Sequence, residues 1–218
     1  MSIPKIIHQT FKDSKLPFIT RWHISRFRKK NPEYAYEFYD DARIETFIGA
    51  EYSTEIYHSY KKLNIGAAKA DFFRYLVLFK RGGIYLDIDS GINCNLDEFI
   101  KPDDSAIITL EGDPTLFAQW ALIYSAGHPF LQKAIDIVMQ NIGLNKFPHD
   151  VHKMTGPTVY TEAVKTSLIE NPGIPHRMLG TDYNGYLKVK YKLGKFFLYK
   201  KGDHWKKKQL YLPVLKPD

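Results

Sequence analysis

Disulfides are the first thing this chain does without. Cys94 is its only cysteine, so no intrachain bridge can form, and a reducing compartment suits it better than an oxidising one. It also has no apolar run long enough to cross a bilayer. The start, Met1 to Ile7, runs straight into a strand-like segment and leaves no room for a signal peptide or anchor, so the expected location is cytoplasmic. Neither a low-complexity polar tract nor an internal repeat occurs, which excludes a disordered or repetitive organisation.

What is present fits one globular core. With 218 residues, 44% hydrophobic and 15% aromatic, the chain is long enough for one sizeable core and short for two, so residues 1–218 read as a single domain. The net charge of +7 concentrates nucleic acid, an anionic bilayer or a phosphorylated substrate without choosing among them. Lysines crowd toward the end, from Lys188, Lys190 and Lys192 to Lys206, Lys207 and Lys208. Between Leu187 and Leu193 they alternate with Leu187, Val189, Tyr191 and Leu193, the period of a half-buried strand with one wet face. That face is either merely solvated or a peripheral contact for an anionic membrane or lipid-linked substrate.

Periodicity and punctuation predict alternating helices and short strands. Strands are expected over Ile3–His8, Tyr34–Tyr39, Ile84–Ile88, Ala106–Leu110 and Phe117–Tyr124. Helices are expected over Ala42–Ile48, Ser53–Leu63, Gly66–Lys80, Pro129–Asn141 and Pro157–Ile169, with residues 11–33 read as loop and 196–212 as short strands and loops. This alternation argues for an α/β sandwich around a mostly parallel sheet.

The strongest local signal is Gly82-Gly83-Ile84-Tyr85-Leu86-Asp87-Ile88-Asp89. An apolar strand leaves a double-glycine turn and ends in two aspartates one residue apart, which alternation would put on one face. Hard carboxylate ligands at a strand end suit Mn²⁺ or Mg²⁺ with positions left for phosphate oxygens. The preceding segment from Ala67 to Phe79 is apolar nearly all round except for Lys69, Asp71 and Arg74, hence a buried helix. Asp71 and Arg74, three apart, either form a register-fixing ion pair or jointly grip a polar ligand such as vicinal sugar hydroxyls. Four histidines read as structural or polar: His8 at a strand end, His128 at a helix start, and the pair His149 and His152 in a loop.

These blocks, with Ile3-Pro4-Lys5-Ile6-Ile7-His8-Gln9-Thr10-Phe11, Asn31-Pro32, Tyr39-Asp40-Asp41, Gly127-His128-Pro129 and Thr155-Gly156-Pro157, resemble glycosyltransferase family 32. That group of DXD-containing sugar transferases includes yeast mannosyltransferases and bacterial capsular polysaccharide enzymes. The resemblance implies a GT-A fold, a Rossmann-like sheet flanked by helices, and a nucleotide-sugar donor, UDP-sugar or GDP-mannose. It also implies a Mn²⁺ or Mg²⁺ cofactor and transfer with retention to the hydroxyl of a glycan or lipid-linked acceptor, nucleic acid being no partner. By the same resemblance Phe11, where the family usually has tryptophan, stacks on the base beside Thr10. Asp71 and Arg74 contact the donor sugar, and Asp87 and Asp89 contact ribose and metal. Trp205 matches the family's closing tryptophan, preceded by Gly202-Asp203-His204, where Asp203 or His204 would replace the usual metal ligand. Gln119 stands where an asparagine normally touches the donor.

Two rivals share some of these residues. Asp87-Ile88-Asp89-Ser90 after a strand also resembles the haloacid dehalogenase phosphatase signature, with Asp87 as nucleophile, but Gly91 stands where threonine or valine is wanted. Lys206 to Lys208 with Trp205 and Tyr211 is the one place a basic nucleic-acid-binding module could reside.

Overall fold

The computed structural model describes residues 2–191, 198 and 205–217. Within these the strands are β1 (Ile6–Thr10), β2 (Ala35–Tyr39), β3 (Gly83–Leu86), β4 (Gly91–Ile92), β5 (Ala106–Thr109), β6 (Ala121–Tyr124), β7 (Arg177–Leu179) and β8 (Leu187–Lys188). The helices are α1 (Phe18–Lys30), α2 (Asp41–Glu51), α3 (Thr54–Lys62), α4 (Gly66–Arg81), α5 (Pro129–Gly143), α6 (Val151–Met154), α7 (Pro157–Glu170) and α8 (Trp205–Lys208). Six strands make one sheet in the order β2-β1-β3-β6-β5-β7, and β4 pairs with β8 in a separate ribbon. β2, β1 and β3 are mutually parallel, as are β5 and β7, and β6 alone runs against its neighbours. The predicted mostly parallel sheet is what forms.

Period-two alternation splits the core in two. Ile84 and Leu86 join Ile7, Ile107 and Ile123 on one face, while Tyr85, Leu122 and Tyr124 join the helical cluster of α4, α5 and α7 on the other. β3, β5 and β6 are thus buried on both sides, the environment in which short continuous apolar runs are stable, while the edge strands β2 and β7 stay partly exposed. α4 lies inside the second cluster, with Phe72, Phe73, Leu76, Val77 and Leu78 wholly buried, as its near-uniform apolarity requires.

The punctuation is local. Asp40 caps α2 through Arg43 N–H, and Ser53 caps α3 through Ile56 N–H. His128 caps α5 by accepting from Phe130 N–H, and proline opens α5 and α7. Gly82 closes α4, its N–H donating to Leu78 O at 2.8 Å. His8 is buried against the same turn, its Nε2 3.0 Å from Gly82 O, and desolvation lowers its pKa to about 4. It is neutral and structural, as expected.

Several elements depart from the sequence pattern. Residues 18–30 are helix, not loop, because only Thr20, Ile24 and Phe27 of α1 are buried, a stripe too thin to stand out. β6 begins at Ala121; Phe117 makes only an isolated bridge to Leu110. Trp205–Lys208 is a helical turn, while the rest of 192–204 except Leu198 lies outside the described residues.

Gly83 lies at φ +98°, and a Cβ there would sit 2.5 Å from Ile6 O, in the adjacent strand. Gly83→Ala therefore combines backbone strain with a clash that neither strand can yield to. The expected cost is about 2–3 kcal/mol in urea unfolding; a variant within about 0.5 kcal/mol of the parent would show that β1 and β3 are not so closely apposed.

Candidate active site

The ends of β1 and β3 open into a cleft of about 800 Å³, at the carboxyl edge of parallel strands where α/β sheets place ligands. Thr10, Phe11, Asp71, Arg74, Asp87 and Asp89 all line it. So do Gln119 and Trp205. Every expected site residue that is described reaches this one cleft; Asp203 and His204 lie outside the described residues.

The two aspartates arrive by a different route from that predicted. β3 stops at Leu86, so Asp87 and Asp89 sit in the turn beyond it and not on one strand face. Asp87 N–H still donates to Trp120 O at 2.8 Å, and Ser90 N–H closes the turn on Asp87 O at 2.9 Å. Gln9 Nε2 donates to Asp87 O at 3.0 Å, and Tyr36 hydroxyl holds Gln9 Oε1 at 3.0 Å. Ser90 Oγ donates to Val189 O, and Tyr191 N–H to Asp89 O. The turn is thereby gripped from both sides.

Arg74 organises the floor. Its Nη2 lies 3.1 Å from Asp71 Oδ1 and 3.0 Å from Asp87 Oδ1, its Nη1 donates to Gln119 O at 2.8 Å, and its guanidinium lies over Tyr85, 4.8 Å from the ring centre. Thr155 Oγ1 donates to the other Asp71 oxygen at 3.1 Å. Burial lifts the Asp71 pKa to about 6, against the pull of Arg74. Desolvation likewise raises Asp87, and it raises Asp89 to about 6 with help from the Asp87 charge. Gln119 is wedged underneath, its Nε2 donating to Tyr75 hydroxyl and Thr155 O.

Charge balance tests the metal expectation. Among the described residues Arg74 alone lies within ion-pair distance of these carboxylates, pairing with Asp71 and Asp87 and leaving Asp89 without a cation. Exposed Lys190 faces the same cleft and lowers both Asp87 and Asp89 only from a distance. A divalent cation at Asp87 and Asp89 would neutralise the surplus. No group of three or more His, Cys, Asp or Glu side chains could hold a metal among the described residues. Two carboxylates completed by water and phosphate oxygens is how Mg²⁺-type sites are commonly built.

A family model described as "Glycosyltransferase sugar-binding region containing DXD motif" matches residues 20–106, which include Asp71, Arg74, Asp87 and Asp89. The chain belongs to this glycosyltransferase family. Among family-32-like relatives, the initiation-specific alpha-1,6-mannosyltransferase of Schizosaccharomyces pombe is 28% identical over 74% of this chain and 48% of its own length. Inositol phosphoceramide mannosyltransferase 3 of the same yeast is 33% identical over 72% of this chain and 43% of its own. The chain spans about half the length of such relatives. Among solved structures, the PaToxG glycosyltransferase superposes with a TM-score of 0.64 at 22% identity, covering 78% of this chain and 71% of that one. The UDP-bound glycosyltransferase domain of the YGT toxin gives 0.58 at 9% identity over 96% and 82%. The fold is GT-A. The phosphatase reading is not favoured. Trp205 packs against the helical core and lines the cleft, so it is not part of a separate basic and aromatic surface.

Some residues of the site leave no mark in the sequence. Nothing local signals the hold of buried Gln9 on the Asp87 carbonyl. Glu111 and Asp182 also line the cleft. Asp182, Tyr183 and Asn184 all have left-handed φ, between 49° and 56°, a strained turn fixed by wholly buried Tyr183, whose hydroxyl donates to Ala121 O at 2.7 Å. Three consecutive non-glycine residues in that region leave no sequence signature. Of the histidines read as a polar loop, His149 meets Gln209 O, while His152, in α6, meets Thr158 Oγ1.

Removing Arg74 isolates two shielded carboxylates. Arg74→Leu is expected to cost about 3–5 kcal/mol at pH 7.5. Asp71, already at about 6, would rise further without the guanidinium and take up a proton on acidification, so the penalty should shrink at pH 5. Urea titrations of both proteins at the two pH values read this directly; a pH-independent penalty would contradict it.

Proposed function

We propose that this chain is a metal-dependent, retaining glycosyltransferase that moves a hexose from UDP-sugar or GDP-mannose to a hydroxyl of a glycan or lipid-linked acceptor. The carrying observation is the convergence of Asp71, Arg74, Asp87 and Asp89 in one cleft, with carboxylate charge in excess beside Asp89. Retention is what the family resemblance implies. Named relatives that are mannosyltransferases, some acting on inositol phosphoceramide, support a hexose donor and a lipid-linked acceptor.

Asp87 and Asp89 would hold Mn²⁺ or Mg²⁺, with Asp203 or His204 as further candidates. A divalent cation bound there supplies Lewis-acid stabilisation of the departing nucleoside diphosphate. Arg74 and Lys190 keep positive potential at the same point, preorganised before the bond breaks. Asp71 and Arg74 offer an acceptor and a fork of donors to the sugar hydroxyls. Phe11, half-buried at the end of β1, presents a ring to the base, with Thr10 beside it and Gln119 below. Trp205 walls the cleft and limits water.

Two measurements test this. Mn²⁺ with UDP or GDP should raise the melting temperature at pH 7.5. Asp89, at about 6, is ionised there; at pH 5 the metal must displace a proton, so binding weakens about tenfold and the shift contracts. A shift that grows on acidification would refute the assignment. In transfer assays across UDP-hexoses and GDP-mannose, Asp87→Asn and Asp89→Asn should each lower turnover by at least about 100-fold. Near-parental turnover of either variant with the metal chelated would end the proposal.

A further inference from the structure

Helix α1 presents an unusual outward face. Its 13 residues carry Arg21, Arg26, Arg28, Lys29 and Lys30 and no acidic residue. Facing away from buried Thr20, Ile24 and Phe27 are Phe18 and Trp22, one turn apart and 74% and 43% exposed. Residues four apart share a helix face. By the same spacing Ser25 and Lys29 continue the stripe, with Arg21 and Arg28 on one flank and Arg26 on the other. Arg26 stacks on Trp22 at 4.8 Å. The nearby loop carboxylate, Asp13, is turned back to Lys15 N–H.

The position matters as much as the composition. Thr20 Oγ1 and Tyr191 hydroxyl are 2.7 Å apart, the Tyr191 ring stacks on His23, and Tyr191 N–H donates to Asp89 O. α1 is therefore joined through one segment of chain to the aspartate turn, and Val189 and Lys190 of that segment wall the cleft.

We propose that the outward face of α1 is a docking surface for an anionic lipid membrane, which brings the cleft beside the headgroup layer. Exposed aromatics centred between basic flanks match the interfacial arrangement in which rings enter the headgroup boundary and cations meet lipid phosphate. An acidic soluble polymer would answer the charges but gives no place to Phe18 and Trp22. That the docking serves acceptor delivery rests on the transferase reading; the lipid affinity does not.

The test is flotation of the full chain with phosphatidylcholine vesicles, with and without phosphatidylglycerol at about one part in three. The chain should float with the anionic vesicles at least about tenfold more than with neutral ones at about 0.1 M salt, and the difference should fall at about 0.5 M. Phe18→Ser with Trp22→Ser, and separately Arg21→Glu with Arg26→Glu and Lys29→Glu, should each lower flotation at least about tenfold. These side chains are exposed, and an unchanged melting curve verifies that each variant folds. Parental flotation by both variants would overturn the proposal. So would its loss only in Lys206→Glu with Lys207→Glu, or retention on a soluble acidic polymer without vesicle association. Flotation needs no donor, so its failure with an intact Mn²⁺–nucleotide melting shift refutes the docking face alone, and the opposite pattern refutes the transferase reading alone.

Discussion

A single guanidinium, almost wholly removed from water, ties the architecture to the chemistry. Arg74 projects from α4, the most buried of the described helices, and reaches a carboxylate on its own helix, another beyond β3, and a carbonyl from the segment before β6. Burying such a charge is tolerable only where acceptors or a ring face meet most of it. Both terminal nitrogens are met, and Nε alone of the guanidinium nitrogens has no hydrogen-bond partner among the described residues. Tyr85 lies against its flat face, Thr155 takes up the far oxygen of Asp71, and Gln119 and Tyr75 lock the layer beneath. The parts of the protein that form the cleft are thus held to one another by the cleft's own charges. The same arrangement leaves acidity in excess at the open side, where a cation and a diphosphate would complete it.

Strand ends set the rest of the geometry. Because β1 and β3 are parallel neighbours, Thr10 with Phe11 and Asp87 with Asp89 emerge at the same edge, and Gln9 links the two exits by a side-chain hydrogen bond. The Gly82–Gly83 turn permits this by letting β3 start flush against β1, with His8 tucked against Gly82. A polar histidine in an apolar strand therefore serves the register of the site without touching it.

Much of this was legible in the residues, and the rest was hidden for physical reasons. Asp40, Ser53, His128, Pro129 and Pro157 declare helix starts because unsatisfied N–H groups at a helix end favour those types. α4 and β3 were legible because their burial is nearly complete and their apolar content follows it. α1 was not, since a helix whose inner face needs only three residues looks like a charged loop. The turn holding Asp89 was taken for strand because β-branched Ile88 continues the pattern past the last paired residue. Glu111 and Asp182 join the cleft only through tertiary folding, and no spacing in the chain foretells that.

The left-handed run at Asp182, Tyr183 and Asn184 carries a tension of its own. Glycine at Asn184 would relax the local conformation, at the price of a freer unfolded chain, and would loosen the aim of Asp182 into the cleft. Tyr183, sealed in the core beneath Trp120, acts as the peg that keeps the loop cocked. Selection for robustness and selection for a well-directed carboxylate would therefore push this short segment in opposite directions.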